Sequence, residues 1–598
     1  MRRRAFAAVA AVLALGGAAA CGGPNSPANQ NGGSASPGSS GSSTSTPTPT
    51  KVDPFAVIVD KSAKGPAPDV VGAQKGGTIS VISSTAPTRF DPTQAYYIDA
   101  LAVLRLTNRG MTQLVMMPDG KYHLVPDLGE DLGTVSSDKL TWTFKLKPGM
   151  KYDDGSPVKA QDFVYGIERS FATEELPGGP LYQLSYFKDG DKYKGPYKDK
   201  TPYTGASAPD DNTLVVKLAK PFGDLPYYMT FPAMGPIPQA KDTRTNYGLK
   251  PVATGPYKFK TYSPGKSLVL VKNTNWDAAS DPGRHQYADG YNFTFALDPL
   301  LVQKRMVADK GPDQMALTYD AVDSTLMPDI RGKEPEQRMV TGGGTCTTYT
   351  YFDLRKWKDK RVREAYYKAY PFDLVHKAGQ ETSLTYTPGT TIDPNVTPGY
   401  ENFDVSGTGG KGTGDPAAAK KLLEEANAVG FEIKSVVRND TPIAANVSAV
   451  VKKAMEDAGF KYTAQTIAVE KVRETLDDPK ADINVRGGGW CLDWPSGGTV
   501  FPAIFDGRLI AQNPTAAPNK SFLNEKDVNA ANDRISALPV DQQPAQWAAL
   551  DKMVMTKYLP VMPIDYSKNA YLHGSKIGGT ILDTYAGGPD FTKLFVKQ

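Results

Sequence analysis

The sequence predicts a mixed α/β protein with more than one lobe, and three observations support this. The chain has 598 residues, which is too long for one ordinary domain. Residues 140–146 (LTWTFKL) alternate apolar and polar side chains, as a half-buried strand does. Residues 431–467 show the order strand, helix, strand, with lengths that are typical of an α/β lobe.

The first half of the body contains one clear helix and several strands. The folded region is expected to begin near Gly76. A helix is predicted directly after the turn at residues 153–157. Its apolar side chains recur at helical spacing: Phe163, Val164, Ile167 and Phe171. Other short apolar runs in this half predict strands at residues 77–82, 214–218 and 268–271.

The second half carries the clearest helix boundaries. Asp415 and Pro416 suit the N-cap and the first turn of a helix, and Gly430 can end it. A strand (FEIKSVV, residues 431–437), a helix from about 443 to 458 and a strand near 462–467 are predicted to follow. We find no internal repeat.

Composition excludes some classes of function. Lys plus Arg number 68 and Asp plus Glu 64, so the net charge of +4 gives no basic field for nucleic acid. The 30 tyrosines suit a binding surface or simply fill strands. The four histidines lack the spacing of metal ligands, and no nucleophile-elbow or phosphate-loop motif is present. We therefore expect no catalytic residue, no metal and no cofactor.

A glycine-rich stretch at residues 407–412 (GTGGKG) fits the pattern G-x-G-x-x-G and precedes a helix. A dinucleotide site would need a buried strand directly before it. The residues that stand there, PGYENFDVS, are polar and favour turns. We interpret the stretch as a surface loop.

The amino terminus has the features of an export signal. Three arginines precede an apolar run, Ala5–Ala20, which is too short to span a membrane as a mature helix. Cleavage before Cys21 would leave an amino-terminal cysteine, as in a bacterial lipobox, with Ala18 where that pattern prefers Leu. We expect lipidation of Cys21. The alternative is ordinary cleavage and a free secreted protein. Export is expected by the general route, with the twin-arginine route as the alternative.

Residues 21–73 are predicted to form a flexible linker behind the lipid anchor. From Gly22 to about Thr50 the chain is almost entirely Gly, Ser, Pro, Thr and Asn, which cannot bury a core. A long tether suits a protein that is held on the extracellular face of the membrane in a Gram-positive type of envelope.

Two further cysteines, Cys346 and Cys491, lie in the body of the chain. In an exported protein such a pair predicts a disulfide, with two unrelated buried thiols as the alternative. The bond would close a loop of 145 residues. The chain-entropy argument then gives about 5 kcal/mol of stabilisation as an upper figure.

The most unusual stretch is residues 486–498 (RGGGWCLDWPSGG). Three glycines remove side chains where another group must approach the backbone. Asp493 lies between Trp490 and Trp494, which would give a carboxylate apolar walls and a low local dielectric. A binding cleft needs accessible backbone, a charged group and apolar walls. This stretch supplies all three within a dozen residues.

Several motifs in order carry a family likeness between Gly76 and Gln598. The longest is WTFKLKPGMKYDDGSPVKAQDFVYGIER at residues 142–169. The shorter ones are Phe90-Asp91-Pro92, Thr254-Gly255-Pro256-Tyr257, Asn273-Thr274-Asn275-Trp276, RVREA at 361–365 and PVMPI at 560–564. Together they resemble the peptide- and nickel-binding family (family 5) of ABC-importer solute-binding proteins, and most of all its oligopeptide-binding members.

The resemblance implies a two-lobed periplasmic-binding-protein-like fold of type II, cluster C, with an extra domain inserted in lobe I. The implied ranges are 1–20 signal peptide, 21–73 linker, 74–108 and 235–344 lobe I, 109–234 extra domain, 345–566 lobe II, and 567–598 the return to lobe I. It also implies a function: a monomeric, non-enzymatic lipoprotein that captures oligopeptides in a hinged cleft and delivers them to a membrane permease.

The resemblance further implies that Asp493 holds the amino-terminal ammonium of the peptide, and that Cys491 is bridged to Cys346. A buried positive charge must be paired, so a fixed carboxylate suits this role. A structural ion pair or a turn cap is the alternative for Asp493. Trp490 and Trp494 would wall the cleft, with core packing as their alternative.

Other contacts follow from the same resemblance, each with an ordinary surface or core position as its alternative. Gly489 and its two preceding glycines would let the ligand backbone approach. The remaining candidates are the segment Tyr96, Tyr97 and Ile98, which would pair with the ligand backbone, and Tyr349 and Asn439, which would line the cleft.

The sequence departs from the family pattern in three places. Gly487 stands where close relatives carry an arginine that can meet a peptide carboxyl terminus, and Arg486, one position further away, is kept as a candidate contact. Residues 494–498 and 369–375 (AYPFDLV) also differ from the usual pattern. These departures leave open a non-peptide ligand, such as an oligosaccharide or a chelated metal, and a signalling peptide. An exported hydrolase is the alternative from another class.

Overall fold

The computed structural model describes residues 53–87, 89–438, 441–512 and 518–598. These ranges contain twenty-two strands and fifteen helices. The strands, in chain order, are β1 Val57–Val59, β2 Thr78–Ile82, β3 Thr112–Met116, β4 Tyr122–Pro126, β5 Thr134–Val135, β6 Thr141–Lys145, β7 Ala206–Asp210, β8 Thr213–Lys217, β9 Tyr257–Ser263, β10 Ser267–Lys272, β11 Gly290–Thr294, β12 Ala316–Leu317, β13 Met339–Phe352, β14 Tyr386–Pro388, β15 Glu432–Arg438, β16 Lys461–Ile467, β17 Val485–Cys491, β18 Val561–Leu572, β19 Ile577–Gly578, β20 Leu582–Asp583, β21 Gly588–Pro589 and β22 Phe595–Val596.

Most of the helices are short. In chain order they are α1 Ile98–Thr107, α2 Ala160–Ser170, α3 Tyr182–Tyr186, α4 Leu225–Tyr228, α5 Pro299–Ala308, α6 Met327–Ile330, α7 Lys360–Ala369, α8 Phe372–Ala378, α9 Pro416–Glu425, α10 Pro442–Asp457, α11 Val469–Asp477, α12 Phe501–Ile504, α13 Arg508–Gln512, α14 Lys526–Ser536 and α15 Pro544–Lys557. Within the described ranges, none of them has the length and apolar character needed to cross a membrane.

The first sheet has five strands in the order β12-β2-β11-β10-β9. β2 pairs in parallel with β11 and β12, whereas β9, β10 and β11 pair antiparallel. Its core joins Ile79 and Val103 to Phe591, Leu594 and Val596 from the end of the chain. The last residues therefore return to the sheet that contains β2.

The second sheet, β5-β6-β8-β7, is antiparallel throughout. Phe144 of β6 and Leu214 of β8 share a buried core with Phe163 of α2. A smaller sheet, β1-β4-β3, contributes Leu124 to this core. Trp494, which is distant in sequence from all of these elements, belongs to the same core.

The third sheet, β14-β18-β13-β17, is antiparallel and places β17 at an edge. Cys346 of β13 lies directly opposite Cys491 of β17, and the two form a disulfide. The predicted disulfide is therefore confirmed, and the alternative of two unrelated thiols is wrong. Beside this sheet, β15 and β16 pair in parallel, and α10 lies between them in the chain.

The prediction of a mixed α/β protein is confirmed, and the predicted elements are found close to their expected bounds. They are β2, β6, β8, β10, β15, β16, α2, α9 and α10. Asp415 caps α9 by accepting a hydrogen bond from the Ala418 N–H. The predicted end at Gly430 is wrong: α9 ends at Glu425, and Asn427, with a φ of +51°, takes the left-handed position after the helix. Residues 407–412 form a loop with no strand directly before them, as predicted.

The linker prediction is wrong at its carboxyl-terminal end. Val57–Val59 forms β1, which pairs in parallel with β4. Phe55 packs against the core beside the third sheet, and the Gly399 N–H donates to Asp53 Oδ2 at 2.7 Å. A three-residue strand carries too short a pattern to be recognised, and here it depends on a partner strand far along the chain. The signal peptide and residues 21–52 lie outside the described residues, and the predicted domain boundaries stay predictions.

Candidate functional site

The site is built around the outer edge of β17. This strand pairs with β13 on one side only, and Gly487 and Gly489 are exposed. A Cβ at Gly487 would meet no atom within 4 Å, whereas a Cβ at Gly489 would meet the Thr347 carbonyl oxygen at 2.8 Å. Glycine at 489 therefore permits the close pairing with β13, and glycine at 487 leaves open space beside the strand.

The register fixes which backbone groups point outward. The Cα atoms of Cys346 and Cys491 are 3.9 Å apart, which is the close spacing of a pair that exchanges no backbone hydrogen bonds. In agreement, the next residue, Leu492, donates its N–H to the Thr345 carbonyl oxygen at 2.9 Å. Because this pattern alternates, Cys491, Gly489 and Gly487 direct their N–H and C=O groups away from β13. The edge of β17 thus offers free donors and acceptors to an added strand.

Asp493 lies two residues beyond the end of β17 and is half-buried. Its Oδ2 accepts hydrogen bonds from the hydroxyl of Tyr96, at 2.6 Å, and from that of Tyr182. Among the residues that the structure describes, its Oδ1 has no hydrogen-bond partner, and no Lys, Arg or His nitrogen lies within 4.0 Å of the carboxylate. The predicted alternative of a structural ion pair is therefore wrong for the described residues.

Burial raises the pKa of Asp493, and the two tyrosine hydrogen bonds act in the opposite direction. Burial and the charge of Asp493 also raise the pKa values of Tyr96 and Tyr182, so both hydroxyls stay protonated donors. Within the described part of the chain, the result is a carboxylate with one hydrogen-bonded oxygen, one free oxygen and no cation beside it. Such a group binds an incoming positive charge strongly.

A cavity of about 100 Å³ adjoins the carboxylate. Tyr227, Phe231 and Trp494 form part of its wall, and Arg109 and Arg284 also line it. Both arginines are already paired with Asp127, so the cavity does not present a free guanidinium to a ligand. The lining of this cavity therefore combines apolar rings with arginines that are already neutralised by the protein.

The two tryptophans differ in position. Trp494 lines the cavity, is 2% exposed, and packs on Tyr182 with ring centroids 4.6 Å apart. Its indole N–H donates to Asp224 Oδ2 at 2.8 Å. Trp490 is half-buried, packs against the core of the third sheet and donates its indole N–H to the Thr499 carbonyl oxygen at 2.7 Å. Trp494 therefore combines the cleft and core roles, and Trp490 has mainly a core role.

Tyr349 and Arg486 lie away from the cavity. Tyr349 is 1% exposed and donates its hydroxyl to the Ile392 carbonyl oxygen inside the core. Arg486 is buried against Asp353, with Nη1 and Oδ2 3.3 Å apart, and it also donates to the Asp478 carbonyl oxygen. In this structure the predicted ligand contacts of both residues are replaced by structural roles, because their side chains leave the sheet on its core-facing side.

Of the predicted contact segment Tyr96, Tyr97 and Ile98, only Tyr96 contacts Asp493. Tyr96 contacts Asp493, whereas Tyr97 is 60% exposed and Ile98 begins α1 instead of continuing an extended strand. Asn439 and Cys21 lie outside the described residues.

Sequence reasoning missed Tyr182, which lies in α3 and is far from Asp493 in the chain. The only signal for it was the concentration of aromatic residues around α3.

Comparison with known proteins places the chain in a family. The profile described as "Bacterial extracellular solute-binding proteins, family 5 Middle" matches residues 123–510. The periplasmic oligopeptide-binding protein OppA of Salmonella typhimurium is 25% identical over 512 residues, covering 82% of this chain and 87% of OppA. A putative ABC transporter peptide-binding protein of Brucella ovis is 25% identical over 463 residues, covering 73% of this chain and 74% of that protein.

Solved structures show the same architecture. The structure titled "Clavulanic acid biosynthesis oligopeptide binding protein 2" superposes with a TM-score of 0.80 at 24% identity, covering 92% of this chain and all of that one. The unliganded open form of the murein tripeptide binding protein MppA gives a TM-score of 0.67 at 20% identity, covering 88% and 99% of the two chains. The chain therefore has the two-lobed periplasmic-binding fold and belongs to the bacterial extracellular solute-binding proteins of family 5.

Proposed function

We propose that this protein is the extracellular substrate-binding lipoprotein of an ABC importer, and that it captures oligopeptides in a hinged cleft and delivers them to a membrane permease. The proposal includes a lipid anchor at Cys21, a monomeric protein, no catalysis and no nucleic-acid partner. The OppA and Brucella relatives are named for peptide binding, and this supports the ligand class. A fold that closes around its ligand supports the delivery role.

One observation carries the peptide assignment: the free Oδ1 of Asp493 at the end of an unpaired strand edge. A peptide has one positive charge at its amino terminus and a row of backbone donors and acceptors behind it. The site has one uncompensated carboxylate and a row of backbone donors and acceptors beside it. A neutral oligosaccharide would use neither the charge nor the strand edge.

The geometry also gives a direction for the bound peptide. With its ammonium at Asp493, the peptide runs back past Cys491, Gly489 and Gly487, and is therefore antiparallel to β17. Outward groups recur every second residue, about 6.8 Å apart. From Asp493 to Gly487 the edge is about 20 Å long, which accommodates about five or six extended residues. Because the pairing uses backbone groups, it selects peptides by their length and their termini more than by their side chains.

The roles of the remaining site residues follow from this arrangement. We assign Tyr96 and Tyr182 the positioning of the Asp493 carboxylate, and Trp494 the apolar wall beside the ammonium. Asn439, which lies outside the described residues, keeps its predicted place in the cleft as part of the proposal. The proposed lobes and the extra domain keep the ranges predicted from the sequence.

The test compares peptides that differ only at the amino terminus. Isothermal titration with a free tetrapeptide and its N-acetylated form should show at least about 100-fold weaker binding of the acetylated peptide, because it cannot pair with Asp493. Native mass spectrometry of the purified protein should show short peptides that remain intact on incubation. Equal affinity for the two forms, a single non-peptide mass or peptide fragments would each overturn the proposal.

The strand edge is tested separately with two substitutions at one position. Gly487→Pro removes the outward N–H and places a ring beside the edge, and we expect peptide affinity to fall about tenfold. Gly487→Ala is the matched control, since its Cβ meets no atom within 4 Å and the outward N–H remains. Both variants should unfold at the same temperature as the natural protein. Peptide affinity that is unchanged in Gly487→Pro would show that the ligand does not pair with β17.

A further inference from the structure

A second cluster of polar side chains lies at the third sheet, away from Asp493. His376 belongs to α8, Glu381 follows that helix closely, and Asp565 belongs to β18. One potential ligand atom from each side chain lies within 4.8 Å of the other two. An imidazole nitrogen and two carboxylate oxygens form a donor set that divalent transition metals accept.

The surroundings hold these side chains in place. His376 Nδ1 lies 2.5 Å from Glu381 Oε2, and the Glu381 N–H donates to the His376 carbonyl oxygen at 2.9 Å. The His376 ring is 3% exposed and stacks on Tyr386 with centroids 3.7 Å apart. The Thr348 hydroxyl donates to Asp565 Oδ1 at 2.9 Å. The Thr348 hydrogen bond to Asp565 is an outer contact of the kind that orients the ligands of metal ions.

The described residues balance the charges of the cluster only in part. Among the residues that the structure describes, neither Glu381 nor Asp565 has a Lys or Arg nitrogen within 4.0 Å. Asp565 is 8% exposed, and its Oδ2 has no hydrogen-bond partner in the described ranges. The imidazole of His376 can offset at most one of the two carboxylates.

We propose that His376, Glu381 and Asp565 bind a divalent transition-metal ion of the zinc class. His376 supplies Nδ1, each carboxylate supplies one oxygen, and water completes the coordination. Glu381 is exposed, so it has the freedom to adjust to metal–ligand distances of about 2.0–2.2 Å. Magnesium and calcium are disfavoured, because they take all-oxygen ligand sets.

The proposed metal site is separate from the ligand edge. Asp565 lies opposite Thr348 of β13, which in turn lies opposite Gly489 of β17. Two strand spacings therefore separate Asp565 from the edge, a distance of about 10 Å. Metal binding is thus independent of the proposed peptide contact, and Asp493→Asn should leave it unchanged. Failure of one proposal does not affect the other.

The test is a titration of the metal-free, tag-free protein with Zn²⁺, with Mg²⁺ as the comparison ion. We expect one saturable Zn²⁺ site per chain and no competition from Mg²⁺. His376→Ala and Asp565→Asn should each weaken Zn²⁺ binding by at least about 100-fold, since each removes a direct ligand. Co²⁺ in place of Zn²⁺ should give visible absorption bands that both substitutions abolish.

His285→Ala is the matched control. His285 also stacks on a tyrosine, Tyr287, with centroids 4.6 Å apart, but it has no carboxylate oxygen within 4.0 Å among the described residues. Its substitution should leave Zn²⁺ affinity unchanged. The absence of saturable Zn²⁺ binding would overturn the proposal. So would Zn²⁺ affinity that survives in Asp565→Asn, a variant that preserves the shape of the side chain.

Discussion

Replacing Asp493 with asparagine is expected to weaken the binding of peptides that have a free amino terminus by about 150- to 5,000-fold. Asparagine keeps the shape of the side chain and can still accept hydrogen bonds from Tyr96 and Tyr182. It removes the negative charge, so the ammonium of the peptide is buried without a partner. Leaving one member of a buried charge pair unpaired costs about 3–5 kcal/mol, which gives this range of affinity. Isothermal titration with one tetrapeptide measures the loss.

Two controls separate the charge from other effects. N-acetylated peptide, which carries no ammonium, should bind Asp493→Asn and the natural protein with similar affinity. Tyr96→Phe removes one hydroxyl from Oδ2 and keeps the charge, so its effect should be only about tenfold or less. If Asp493→Asn binds free peptides as tightly as the natural protein does, the carboxylate is not the ammonium partner and the peptide must be anchored elsewhere.

Replacing both Cys346 and Cys491 with serine is expected to lower the free energy of unfolding by about 2–5 kcal/mol. The bond closes a loop of 145 residues, so its loss gives the unfolded chain much more conformational freedom. It also ties the edge strand β17 to β13 at the end nearest Asp493. Denaturant unfolding followed by tryptophan fluorescence reports the change, because Trp490 is adjacent to Cys491 and Trp494 is close to it.

Reduction provides the control for this substitution. Dithiothreitol should shift the unfolding midpoint of the natural protein toward that of the double variant, and it should leave the double variant unaffected. Peptide binding well below the unfolding midpoint should persist in the double variant, since backbone pairing still sets the register of β17. An unfolding midpoint that is equal in the oxidised natural protein and the double variant would contradict a stabilising role for the bond.

Local patterns allowed much of the fold to be predicted. β6 was predictable because Trp142 and Phe144 alternate with polar residues and are buried as the alternation requires. The start of α9 was predictable because Asp415 is its N-cap, whereas the helix ends at Glu425, before the predicted Gly430. In each case the information lies within one element. β1 was missed because its three residues have no pattern of their own and gain stability only from β4.

The candidate site was harder to predict, because it depends on faces and on distant partners. Asp493 was singled out by its neighbours in the chain and by the family resemblance, whereas the two tyrosines that contact its carboxylate come from distant segments. Tyr349 lies three residues after Cys346, and an odd separation along a strand places the two side chains on opposite faces. Arg486 lies five residues before Cys491 and follows the same rule. The alternation of side chains along a strand could therefore have shown that Tyr349 and Arg486 lie on the face opposite the cysteines. The contact of Tyr182 with Asp493 depends on the three-dimensional fold and has no signal in the local sequence.

The two tyrosine hydroxyls at Asp493 bear on release as well as capture. Tyr96 precedes α1 and Tyr182 belongs to α3, so the carboxylate is met by groups from elements other than its own. When the ammonium departs, Oδ2 keeps both hydrogen bonds, and only Oδ1 must be rehydrated. The emptied site is therefore not left with a bare charge, which limits the energetic cost of unloading. In the proposed function the protein releases its ligand in every transport cycle. Such a protein benefits when the emptied binding site is not left in a state of high free energy.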